Sequence, residues 1–237
     1  TRCFPPPKRS TSMASAAVFG WTSGKLTDFI AENTENGFSL PLTEPNELSI
    51  NTSGSVLVDA SLGNESTILA QRGLIAIAEG HDISNASTGE FTIGEISQII
   101  AIGDPELSVF ENEGLVRKVG DRMTTISARF VLFNGGTVDA PGDTILRLTN
   151  ADIRNNSAFT GTGQVRVSGL VSGEIHSENS LVIGSTTGTS LTTAEDVIIS
   201  GGWRWSGPIA GHWTNLGLAV GSPINQGQLG ELLGGTQ

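Results

Sequence analysis

Between residues 48 and 205, apolar and polar side chains alternate in short runs, with Val, Ile and Leu at every second position and Gly, Asn, Asp or Pro at the breaks. In TTISARFVLF (124–133) and QVRVSGLV (164–171) the period is close to two, which in a strand sends the apolar set to one face and the polar set to the other. Nine segments read as strands on this basis: 55–62, 74–80, 89–102, 107–111, 124–133, 144–153, 164–171, 180–184 and 196–205. Turn signals separate them at Gly63-Asn64, Asn134-Gly135-Gly136, Pro141-Gly142-Asp143 and Thr187-Gly188-Thr189. Asn134-Gly135 is the strongest hairpin cue, because both residues reach positive φ at low cost. One stretch reads as a short helix, capped by Ser23, with Leu26, Phe29 and Ile30 on one face and an end near Glu32.

Strands buried on one side and joined by tight turns predict an all-β chain, and an antiparallel β-sandwich, with jelly-roll connections as one form of it, is the first expectation. A right-handed β-helix is the alternative. Val131, Leu148, Val165, Val182 and Ile199 recur every 17 residues, as stacked rungs would, but the same count carried backward meets Gly114, Ser97 and Gly80. The stretch VSGLVSGEIHSENSLVIG (167–184) resembles a bactofilin core, whose β-helical rungs carry similar Gly-spaced Val and Ile. The likeness covers about twenty-five residues and implies an unpolarised filament formed without nucleotide.

The expected organisation is an N-terminal arm (1–20), a β-rich core (21–205) and a C-terminal arm (206–237). The first arm holds Pro5-Pro6-Pro7, which favours an extended chain, and the apolar group ending at Phe19; the second holds leucines spaced by glycines, Leu232 among them. At least one of the two arms is expected to dock on a neighbouring copy.

Composition sharpens the picture. A chain of 237 residues with 37% apolar content can bury one sizeable core, and 31 glycines set among Val and Ile favour many turns over disorder. The formal charge is −11, so the body repels phosphate, and no basic stripe with interleaved aromatics is present. Direct nucleic-acid binding is not expected. The single cysteine, Cys3, forms no intramolecular disulfide, and the apolar windows, such as GLIAIA (73–78), are too short to span a bilayer. A soluble protein without membrane insertion is expected. Asn51, Asn64, Asn85 and Asn155 open N-x-S/T triplets, a number that chance supplies in a Ser/Thr-rich chain.

The motifs argue against catalysis. GWTSGKLT (20–27) has three residues between its glycines where a phosphate-binding loop needs four, and Leu26 stands where Ser or Thr would reach magnesium. GTGQVRVSG (161–169) puts Arg166 where a dinucleotide fingerprint needs glycine, and GLVSG (169–173) has its serine one position late for a nucleophile elbow. His176 and Glu178 share a strand face, yet two ligands do not make a metal site. No cofactor and no metal are expected.

Trp203 and Trp205, on alternate positions around Arg204, project from one face as a packed contact or a sugar-stacking platform. Together with Trp21, Trp213, Phe19 and Leu232 they are the candidate assembly or ligand contacts. The first functional expectation is a non-enzymatic, self-assembling structural protein of a virion, such as a capsid, cement or head-decoration subunit, whose partners are copies of itself or another shell or fibre protein. The alternative is an adhesin or carbohydrate-binding fibre module at an extracellular surface, and a bactofilin-like polymer comes third.

Overall fold

The computed structural model describes residues 18–21, 24–25, 47–184, 192–205 and 209–221. Within them the chain is all-β, and every strand pairing is parallel. The strands stack as a β-solenoid of about 7 turns. The expected antiparallel sandwich and its jelly-roll form are therefore incorrect, and the β-helix alternative is the observed architecture.

Three strand ladders run along the solenoid. The first joins Glu47–Ile50 of β3 (Glu47–Val58), the start of β5 (Thr67–Ile77), the start of β7 (Glu90–Ala101), β9 (Leu115–Lys118), β12 (Thr137–Asp139) and β14 (Ser157–Thr160). The second joins the ends of β3, β5 and β7 to β10 (Thr124–Ile126) and to Ile145–Leu148 of β13 (Ile145–Ile153). The third runs through β4 (Leu62–Asn64), β6 (Asp82–Asn85), β8 (Val109–Asn112) and β11 (Arg129–Leu132) to Ala151–Ile153. Two long bent strands, β15 (Gln164–Ile183) and β16 (Thr192–Trp205), continue the stack. β17 (Ile209–Asn215) and β18 (Leu218–Gly221), inside the stretch expected as a C-terminal arm, pair on β16 as further strands. At the other end β1 (Val18–Trp21) lies on β3, with Phe19 opposite Leu48 and Trp21 opposite Ile50. Gly24–Lys25 form β2, a strand pair with Val56 and Leu57, where the sequence suggested a helix start; the remainder of that helix lies outside the described residues.

Alternation misled the sandwich reading for a physical reason. Each short strand buries one face, as in β8 and β9, whose exposure alternates strictly, but that holds equally for a sheet packed on another sheet and for a rung closed on its own core. The turn at Asn134-Gly135 shows the same ambiguity. Both residues have positive φ (53° and 88°), as the sequence predicts, yet β12 leaves the turn to pair with β9 and β14 and not with β11. The turn closes a corner, not a hairpin. The 17-residue recurrence is also not the rung: Val131 faces Asp152, Leu148 faces Val167, Val182 faces Arg204, and Ile199 faces Ile175 and Asn215.

The core is one continuous column of Ile, Val, Leu, Phe and Trp. Phe91, Phe110 and Phe130 form an aromatic pile, with ring centroids 4.9 and 5.3 Å apart in tilted and edge-on arrangements.

Candidate functional site

Two buried polar devices organise the corners of the solenoid. The first is an asparagine ladder. Asn64, Asn85 and Asn112 end three successive strands of the third ladder and are almost fully enclosed. Asn64 Nδ2 donates to Asn85 Oδ1 and Asn85 Nδ2 to Asn112 Oδ1, both at 2.6 Å. The same amides reach the turns beyond: Asn85 Nδ2 bonds Gly89 O and Leu115 O, and Asn112 Nδ2 bonds Gly114 O and Thr137 O. Side-chain amides thus add a second donor to turn carbonyls that already accept a backbone N–H, as at Gly89 and Gly114. Glycine follows in these turns because space is absent. A Cβ on Gly114 would lie 2.2 Å from Ala86 O.

The second device is Lys118, which is fully buried. Its Nζ donates to the carbonyls of Gly94 (2.7 Å), Gly120 (3.1 Å) and Val119. Burial pushes its pKa below the usual lysine value, against the opposing pull of Glu95 and Asp121. The ammonium ties the base of the loop 119–123 to the rung beneath it.

That loop forms one wall of a cleft of about 440 Å³ lined by Thr52, Ser53, Gly54, Arg72, Gly73, Leu74, Glu95 and Arg122. Its origin is a mismatch between rungs. Asn51 pairs with Arg72 and Ser55 with Leu74, so three residues of β3 (52–54) span the distance that Gly73 alone spans in β5. The surplus residues bulge, and bulges re-aim side chains. Thr52 Oγ1 accepts the Gly54 amide at 3.1 Å and fixes the bulge. Below, Arg72 stands opposite Glu95 in register, and the loop on the Lys118 pin brings Arg122 to the same opening. Among the described residues, neither Arg72 nor Arg122 enters an ion pair. Three other arginines are spent on carboxylates. Arg117 pairs with Glu90 and Asp139, and Arg129 and Arg154 converge on Asp152.

A smaller hollow lies between Ser61, Asn64, Glu65, Asp82 and Ser84, where Ser61 Oγ donates to Asp82. Among the described residues no group of three or more His, Cys, Asp and Glu converges as a metal site would require. His176 and Glu178 both point outward from β15, and His176 Nδ1 lies 3.1 Å from Ser200 Oγ. His212 pairs with Asp196 at 3.3 Å on the surface.

Of the residues singled out in the sequence, three meet. Trp203 is buried, stacks on Trp213 (centroids 5.8 Å, 14°) and donates from Nε1 to Asn215 Oδ1 at 3.0 Å. Trp205 is partly buried against Trp203, also at 5.8 Å. These indoles fill the narrowest coil: Trp205 is matched by Gly221, 16 residues on, whereas Ile175 and Ile199 lie 24 apart one coil earlier. Phe19 and Trp21 lie in β1, far along the chain from this cluster, and Leu232 lies outside the described residues. The Arg72/Arg122 cleft and the Asn ladder were not foreseen. The ladder did leave a signal, since Asn64 and Asn85 begin two of the N-x-S/T triplets; their burial, not glycosylation, accounts for them.

No protein-family model matches the sequence, and no match was found among curated proteins or solved structures. The fold and the geometry carry the functional reading by themselves. No helix among the described residues is long and apolar enough to cross a membrane.

Proposed function

We propose that the chain is a binding module of an adhesin or carbohydrate-binding fibre, working at an extracellular surface. The observation that carries this reading is the open polar cleft between four rungs of a stiff solenoid, lined by two arginines that enter no ion pair among the described residues, a carboxylate and two hydroxyl-bearing residues. At about 4.8 Å per rung, 7 turns make a rod roughly 34 Å long. Such a rod holds side chains of successive rungs at fixed spacing, which suits recognition of an extended ligand. Trp203 has no surface to offer a sugar, so the earlier idea of a Trp203/Trp205 stacking platform gives way to the cleft.

A glycan array probed with the full chain tests the reading. Binding to a defined subset of glycans at micromolar to millimolar concentration is expected; uniform silence of the array would remove it. Sedimentation of the same sample separates the other reading, a self-assembling shell subunit, which requires large closed or filamentous assemblies in the absence of any sugar.

A further inference from the structure

We infer that the Arg72/Arg122 cleft recognises a uronic acid, the carboxylate-bearing residue of an acidic polysaccharide; this rests on the glycan-binding reading and names its ligand class.

The argument is one of charge and of the kinds of donor present. The chain carries −11 overall, and Arg117, Arg129 and Arg154 are spent on neighbouring carboxylates while Arg166 bonds Gln164. Arg72 and Arg122 come from different rungs and line one cleft, and among the described residues neither enters an ion pair. Two arginines lining one opening match a carboxylate, which a guanidinium can grip through paired N–H donors. The rest of the lining selects among carboxylates. Glu95 accepts hydrogen bonds from ring hydroxyls, while Thr52 and Ser53 add hydroxyl groups to the lining. Leu74 is the one large apolar side chain in the lining, so an acidic peptide with an apolar anchor finds little to bury. A ring that carries one carboxylate and several hydroxyls satisfies all of these groups together. The pin at Lys118 keeps Arg122 in place before the ligand arrives, which lowers the ordering cost of binding.

Calorimetry with the full chain tests this, using tetrasaccharides of galacturonate, glucuronate, mannuronate and guluronate, their carboxyl-reduced counterparts, and tetraglutamate. At least one uronate is expected to bind, its reduced counterpart about tenfold or more weaker, and tetraglutamate not measurably. Arg72→Gln and Arg122→Gln should each weaken the uronate about tenfold with melting temperature unchanged, and added salt should weaken wild-type binding. Arg122 sits on an exposed loop, so its variant reports on binding even if Arg72→Gln fails to fold. Silence of all four uronates, equal binding of tetraglutamate, or uronate binding unaffected by Arg122→Gln overturns the inference. Neutral glycans bound equally by wild type and both variants would overturn the inference yet leave the adhesin reading standing, whereas a silent glycan array removes both.

Discussion

At the scale of single residues, the corners of this solenoid depend on polar side chains whose value lies in the groups they satisfy. Asn85 is the middle rung of the ladder and serves both neighbours and two turn carbonyls. Asn85→Leu takes one of the two acceptors from the Asn64 amide, leaving Glu90 O, and removes the donor to Asn112 Oδ1, and should cost about 2–4 kcal/mol in chemical denaturation. Asp152 offers a pH test. Burial alone would raise its pKa, but hydrogen bonds from Arg154 and Arg129 prevail and hold it below the ordinary aspartate value. A depressed folded-state pKa means that the stabilisation is complete above about pH 4 and disappears as pH falls through the lower folded value. Asp152→Asn should therefore lower stability by about 1–3 kcal/mol at pH 7, and by progressively less as the pH is taken down through the depressed folded value, when both proteins are melted side by side.

At the scale of elements, the loop 119–123 illustrates how a buried charge can shape a surface. Replacing Lys118 by Met removes the donor shared by the carbonyls of Gly94, Val119 and Gly120, and should cost about 1–3 kcal/mol. The local effect should exceed the global one. Trypsin is expected to cut after Arg122 faster in Lys118→Met than in the wild type under native conditions; equal rates would show that the lysine does not hold the loop. Strands were the legible part of this protein, because period-two alternation marks them whatever they pair with. Their partners were not legible, since antiparallel and coiled stacking place the same demand on a strand such as Phe91–Ile93, apolar at alternate positions. Rung length hid the rest. Phe130 and Ala151 are 21 residues apart, Asp82 and Val109 are 27, and Trp205 and Gly221 are 16, so no single period could align them. The cleft was hidden for a related reason: Arg72 and Arg122 are 50 residues apart and meet only because a bulge and a loop occur at the same corner.

At the scale of the whole molecule, stability should be distributed along the rod and not pooled in one centre. Each rung packs mainly on the rungs above and below it, so the protein approximates a one-dimensional chain of coupled units. Coupling should be strongest where Phe91, Phe110 and Phe130 interlock, in the rungs that also carry Asn85, Asn112 and Lys118. Hydrogen exchange should then be slowest at the amides of β8, β9 and β11 and quicken toward β17 and β18, where the coil is short and its last described strand pairs on one side only. Phe110→Ala is the decisive perturbation. It empties the middle of the pile and should cost about 3–5 kcal/mol, as large-to-small changes in a close-packed core do. If the rungs are coupled only through neighbours, that loss should speed exchange in β6, β8 and β11 far more than in β15 and β16, and unfolding should broaden or split into two transitions. A single sharp transition with protection lost evenly along the chain would mean instead that the solenoid folds as one cooperative body, with the long strands β15 and β16 transmitting the damage from one end to the other.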